Sequence, residues 1–214
     1  MPPEPRILLL DWDNTLVDSW PQIHRAINAA RAAVDEAPWP FARTRAWLTA
    51  PAPASLQTLF GPACAPVAEA AFLDAFAAAA DALVPAEGAA ALLATCRELG
   101  ITVAVVSNKP SSVLRAEADR LGWTGTFERL VGSGDAPQDK PHRAAAEAGA
   151  GEVPGRHVWL AGDAAADIHC ARAAGCAAVH LAPPDGPPLP NDTPRPDLKV
   201  DSCHTLAQRL RTMP

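Results

Sequence analysis

Lysine is scarce in this chain: only Lys109, Lys140 and Lys199 occur, and arginine supplies the other fifteen basic residues. No basic run appears anywhere, and twenty-four acids against eighteen bases leave a net charge of −6, which excludes broad binding to nucleic acid or to an acidic membrane surface. The five cysteines, Cys64, Cys96, Cys170, Cys176 and Cys203, are odd in number and never spaced Cys-x-x-Cys. They read as reduced thiols in a cytoplasmic protein. The opening Met1-Pro2-Pro3-Glu4-Pro5-Arg6 does not have the pattern of a signal peptide, and no 18-residue apolar stretch is evident, so no membrane span is expected. What the chain does have is length and alanine. At 214 residues it suits one enzyme-sized unit or a domain with an insertion, large enough to build a core without metal or disulfide staples.

Ile7 to Leu10 form a short, continuously apolar run ending in Asp11, the pattern of a strand buried on both faces. The pattern recurs at 101–106 before Ser107-Asn108, at 158–161 before Gly162-Asp163, and at 177–181 before a proline-rich loop; 127–131 is a further candidate. Alanine-rich helical stretches at 89–99, 112–121 and 164–174 fill the gaps. This βαβ rhythm predicts an α/β fold, a parallel sheet with helices on both faces. Residues from about 19 to 86 break the rhythm. They hold helical segments near 21–35 and 66–82 around Pro38, Pro40, Pro51 and Pro53, and read as a helical insert after the first strand, leaving 1–18 and 87–214 as the core. The segment from Pro183 to Pro196 reads as a long loop.

Four strand ends carry polar residues, the place where open α/β sheets bind ligands. Asp11-Trp12-Asp13-Asn14-Thr15 directs two carboxylates at one point while Trp12 turns into the core. Carboxylates ending a buried strand need a partner, and a divalent cation is the simplest; a solvated Asx turn is the bland reading. Ser107 and Asn108, ahead of Lys109-Pro110, suit an anion at a helix start, or helix capping alone. Lys140, extended by the following Pro141, can offer a point charge to a phosphoryl oxygen, or pair at the surface with Asp139 or Asp135. Asp163 follows an apolar strand, and Asp167 lies one helical turn further on the same side, where helix-dipole stabilisation would also explain it. Together these residues describe Mg²⁺ held by carboxylates, a phosphoryl group neutralised by Lys140 and backbone amides, one aspartate as nucleophile and another as acid and base.

The order Asp-x-Asp-x-Thr, Ser-Asn, Lys-Pro and Gly-Asp-x-x-x-Asp resembles the haloacid dehalogenase-like hydrolases, over nearly the whole chain. It is most similar to their phosphoglycolate phosphatase-like branch, whose helical cap follows the first strand. The resemblance implies a Rossmann-like core, a 19–86 cap whose loops select the substrate, and hydrolysis of a small phosphorylated metabolite through an aspartyl-phosphate. It implies Asp11 as nucleophile and Asp13 as acid and base. It implies a phosphate site of Thr15, Ser107, Asn108 and Lys140, and Mg²⁺ bound by Asp11, the Asp13 carbonyl and Asp163 with support from Asp167. It also places the first strand beside the Asp163 strand. Asn14 stands where glycine is commoner, Ala164 where Ser or Thr is commoner, and His142-Arg143 continue the Lys-Pro motif differently.

Asp13 argues against dehalogenation, and the absence of lysine from 18–87 excludes a Schiff-base phosphonatase. A phosphosugar mutase shares the same core residues. A receiver-like signalling domain would pair the same residue types, and a catalytically silent protein could bind phosphate with them; turnover of an aryl phosphate separates both from a phosphatase. Trp20, Trp39, Trp47 and Phe41 read as packing of the insert; Arg25, Arg43 and Arg45 are candidates for a second anionic group on the substrate; His169 lies two positions after Asp167. A monomer and a homodimer are equally compatible with the sequence.

Overall fold

The computed structural model describes residues 2–48, 55–78, 83–182 and 188–213. By internal contacts the chain divides into two compact units, Met1–Val17 with Pro85–Pro214, and Asp18–Val84. The boundaries expected from sequence are 1–18 with 87–214, and 19–86.

The larger unit is built on a parallel six-stranded sheet. Its strands are β1 (Ile7–Leu10), β2 (Thr102–Pro110), β3 (Arg129–Ser133), β4 (Val158–Gly162), β5 (Ala177–Leu181) and β6 (Leu198–Val200), in the order β3-β2-β1-β4-β5-β6. This is the doubly wound arrangement, and it makes β1 the switch strand: β1 pairs with β2 on one side and β4 on the other. The apolar runs behave as their composition demands. Leu8, Leu9 and Leu10 are fully buried, and burial of each leucine side chain is worth about 2 kcal/mol. Ile7 and Leu9 face Ala145, Ala146, Ile168 and Ala171 on one side of the sheet. Leu8 and Leu10 alternate to the other side.

Five helices belong to this unit among the described residues: Ala89–Glu98, Ser111–Arg120, Arg143–Ala150, Ala165–Ala173 and Cys203–Arg211. The expected α/β class is the observed one. β3 starts two residues later than expected, and β2 runs on to Pro110 through a register irregularity after Val106. β6 and the last helix carry no clear signal in the sequence. A three-residue strand has too little alternation to read, and it is specified instead by pairing with β5. Of the proline-rich loop, 183–187 lie outside the described residues; 188–196 form neither helix nor strand.

The smaller unit is helical, with helices Trp20–Ala32, Phe41–Leu48 and Leu56–Ala78. Pro21 occupies the first turn of Trp20–Ala32, where its missing N–H is harmless, and buried Ala26, Ile27 and Ala30 mark the packed face of that helix. The middle helix is masked in the sequence by the prolines that crowd its approach. It is fixed by side chains: His24 Nδ1 lies 2.9 Å from Thr44 Oγ1, and Asn28 Oδ1 accepts from the Trp39 N–H at 2.7 Å. Arg31 and Arg43 lie over the Trp39 ring at 4.5 and 4.6 Å, and Arg45 over Trp20 at 5.5 Å, so two of the three candidate anion-binding arginines stack on tryptophan. The part of the expected 66–82 helix beyond 78 falls on residues 79–82, outside the described residues.

The expectation of no long apolar stretch needs correction. Leu56–Phe76 has a mean hydropathy of 1.3 and by length and composition would pass as a membrane span. Its helix is broken, however, at Gly61, whose φ of 72° and ψ of 165° are not helical. The uninterrupted portion, 62–78, spans about 26 Å at ~1.5 Å per residue, short of the ~30 Å hydrocarbon core. It also carries Glu69 and Asp74.

Candidate active site

The site grows from the end of the switch strand. The Asp11 N–H continues the ladder by donating to Ala161 O at 2.9 Å, after which the chain turns sharply. The carbonyl of Trp12 collects the N–H groups of Thr15, Leu16 and Val17, and Asn14 takes a left-handed φ of 60°, a conformation that asparagine tolerates where most side chains do not. This turn carries Asp11 and Asp13 on either side of fully buried Trp12, which packs edge-on against Trp123 and Phe127 as the alternation predicts.

Lys140 reaches this strand end. Its Nζ stands 2.6 Å from Asp11 Oδ1 and 2.6 Å from Asp167 Oδ1, with all three residues buried. The lysine is therefore not paired with Asp139 or Asp135 at the surface. Burial alone would lower its pKa, but the two carboxylates outweigh that and raise it, so the ammonium stays charged. Oxygens of Asp11, Asp163 and Asp167 lie within 4.8 Å of one another, Asp11 and Asp167 buried and Asp163 partly so. Three such carboxylates against one ammonium leave an excess of two negative charges, an arrangement that burial alone would not support. Accordingly, burial first, and then the charges of Asp167 and Asp13 working against Lys140, push Asp11 up to about 7. Asp163 is raised well above the carboxylate range by burial and by Asp11 and Asp167.

Hard oxygen donors this close together, with surplus negative charge, fit a divalent cation of the Mg²⁺ type. The carboxylate of Asp13 is not in this group. Its Oδ1 lies 2.7 Å from Lys109 Nζ instead.

Asp167 is held from two sides, by Lys140 and by the Ala164 N–H, which donates to Oδ2 at 3.0 Å. Gly162 makes room for it: a Cβ on Gly162 would lie 2.2 Å from Asp167 Cγ. Gly162→Ala must therefore displace Asp167 and break its pair with Lys140. The expected destabilisation is about 3 kcal/mol, the scale for breaking a buried ion pair, read from urea unfolding; an unfolding curve matching the parent's would contradict this placement.

Asn108 holds the main chain of Lys140. Its Oδ1 accepts the Lys140 N–H at 3.0 Å and its Nδ2 donates to the Lys140 carbonyl at 2.9 Å, so the carboxamide locks the main chain that presents the lysine. Ser107, Asn108 and Lys109 sit in the stretch of β2 where the register against β3 shifts. Ser107 Oγ is buried and accepts the Lys109 N–H at 3.1 Å. Thr15 Oγ1 is buried with no hydrogen-bond partner among the described residues, an orphaned hydroxyl beside the acidic turn. His142 caps its helix by accepting the Ala144 N–H at 3.2 Å, which gives that departure a local role.

Two residues behind Asp13 drew no role from the sequence: Lys109, and Glu117, whose Oε2 lies 2.6 Å from Lys109 Nζ. Lys109 is conspicuous there only as one of three lysines. Glu117 gives no signal, since an acid within a helix is ordinarily solvated.

A family model for haloacid dehalogenase-like hydrolases matches residues 5–175. The chain is 27% identical over 214 residues to the phosphoglycolate phosphatase of Pseudomonas putida, covering 94% of this chain and 78% of that protein. It is 33% identical over 183 residues to the phosphoglycolate phosphatase of Caulobacter vibrioides, covering 80% and 77%. Its fold matches the crystal structure of a predicted phosphoglycolate phosphatase from Haemophilus somnus 129pt, with a TM-score of 0.79, 20% identity, and coverage of 96% and 97%. The chain belongs to the haloacid dehalogenase-like hydrolases. Within that family it is phosphoglycolate phosphatase-like.

Proposed function

We propose that this enzyme hydrolyses small phosphate monoesters by double displacement at phosphorus, with 2-phosphoglycolate as the first substrate to test. The observation that carries the reading is the buried Asp11–Lys140–Asp167 ion-pair chain at the end of the switch strand, next to Asp163. Asp11 attacks phosphorus in line, the bond to the ester oxygen breaks, and Asp13 gives its proton to the departing alkoxide. Asp13 then takes a proton from the water that attacks the aspartyl-phosphate, releasing inorganic phosphate and restoring Asp11. Lys140 has three N–H donors, two of them engaged by carboxylates, so the third is available to a phosphoryl oxygen. The hydroxyls of Ser107 and Thr15 complete the set of donors. Mg²⁺ would be held by Asp11, the main-chain carbonyl of Asp13 and Asp163, supported by Asp167, and would neutralise charge on the transferring group. The relatives named phosphoglycolate phosphatase support this substrate class.

Phosphate release from a panel of small esters, with and without Mg²⁺, tests the reading. Turnover should vanish in EDTA and return with Mg²⁺; EDTA-insensitive turnover would contradict it. The same cation supplies a pH test. Asp11 and Asp163 have folded pKa values raised above their unfolded ones, so between them the native state holds protons that the unfolded state has lost. Metal-free stability therefore falls as pH rises from the unfolded carboxylate range toward about 7. Mg²⁺ must displace those protons, so its stabilisation in thermal melts should be larger at about pH 8 than at about pH 6. Equal Mg²⁺-induced shifts at both would contradict the burial argument.

A further inference from the structure

Behind Asp13 lie two buried charges, Lys109 and Glu117, to which the proposed phosphate chemistry gives no role. Lys109 Nζ bridges Asp13 Oδ1 at 2.7 Å and Glu117 Oε2 at 2.6 Å, and Glu117 Oε2 also accepts the indole N–H of Trp12 at 2.7 Å. The side chains of Lys109 and Glu117 are 3% and 1% exposed, while that of Asp13 is 25% exposed. The cluster thus runs from the interior to the one carboxylate that opens to solvent. It joins three elements: the turn after β1, the irregular end of β2, and the helix Ser111–Arg120.

As a stability device the arrangement is poor. A buried Lys–Glu pair is often no better than apolar residues of the same volume, and Glu117 Oε1 is left buried with no donor among the described residues. In a chain that uses arginine for nearly every cation, a lysine here supplies a compact point charge on a single axis. What the cluster does achieve is geometric. Trp12, between the two aspartates in sequence, fixes Glu117; Glu117 fixes Lys109; Lys109 fixes the carboxylate of Asp13.

We infer that Lys109 and Glu117 are positioning residues that set the orientation of Asp13 toward the leaving-group oxygen. The inference rests on the proposed role of Asp13 as the proton donor. An acid out of place by an ångström loses much of its effect on a leaving group that needs protonation. An aryl phosphate, whose phenolate departs without a proton, depends on that placement far less. Lys109 therefore governs discrimination between leaving groups.

The test compares kcat/KM for an alkyl phosphate and for p-nitrophenyl phosphate, in Mg²⁺, for the parent, Lys109→Met, Glu117→Gln and Asp13→Asn. In Lys109→Met the alkyl-to-aryl ratio should fall by about 10-fold or more. A ratio equal to the parent's, with both rates lowered together or both unaffected, would overturn the inference. If Lys109→Met does not fold, Glu117→Gln decides: it keeps the size and the acceptor for Trp12, and should lower the same ratio by about 3-fold, while an unchanged ratio overturns the inference. Asp13→Asn separates the two levels. If it leaves the alkyl ester's rate intact, the proton-donor reading itself fails; if it lowers that rate while the lysine and glutamate variants keep the parent's ratio, only the positioning inference fails.

Discussion

Asp11→Asn should reduce phosphate release by roughly 10³-fold or more while leaving the protein folded. Asparagine has the same shape but a non-nucleophilic amide, so the loss is of chemistry rather than of packing. The structure adds a second expectation. Asp11 is charged only against the opposition of burial and of neighbouring carboxylates, so removing its charge removes that opposition. Lys140 keeps its partner Asp167. The metal-free variant should therefore melt at or above the temperature of the parent. Loss of activity together with a large fall in Tm would mean that Asp11 serves the fold.

Asp13→Ala is expected to lower kcat for alkyl phosphates by about 10²–10⁴-fold, the range for a general acid or base. Both chemical steps use Asp13, so the variant should be slow in forming the aspartyl-phosphate and slow in hydrolysing it. With an aryl ester the first step is relieved and the second is not. Burst kinetics on p-nitrophenyl phosphate should then show one rapid equivalent of p-nitrophenol followed by a slow phase. A variant that turns over both substrates at the parent's rates would remove Asp13 from the mechanism.

The parts of this molecule legible in its sequence are those set by local chemistry. Ile7 to Leu10 announce a doubly buried strand because nothing polar interrupts them, and Gly162-Asp163 mark a strand end by the same contrast. What stays hidden depends on residues distant in sequence. Asn108 and Lys140 are 32 positions apart, and their reciprocal hydrogen bonds arise only once β2 is in the sheet. Trp12 and Glu117 are 105 apart, and neither carries a local pattern for the other. Helix Phe41–Leu48 is hard to read because proline punctuation outweighs its short periodicity, while its stability comes from the His24–Thr44 contact and the tryptophan–arginine stacks. The kink at Gly61 is equally hidden. Composition reads Leu56–Phe76 as a single apolar helix, and only the backbone shows the break.

The central claim is that Asp11 carries the phosphoryl group between substrate and water. Its most direct test is mass spectrometry of enzyme quenched in acid during turnover of p-nitrophenyl phosphate in Mg²⁺, using Asp13→Asn to slow hydrolysis of the intermediate while the aryl leaving group keeps its formation fast. One phosphoryl group on the peptide containing Asp11, absent without substrate and absent in the Asp11→Asn enzyme, is the predicted result. Phosphate released in turnover with that peptide unmodified throughout, or a phosphoryl group on any other residue, would contradict it.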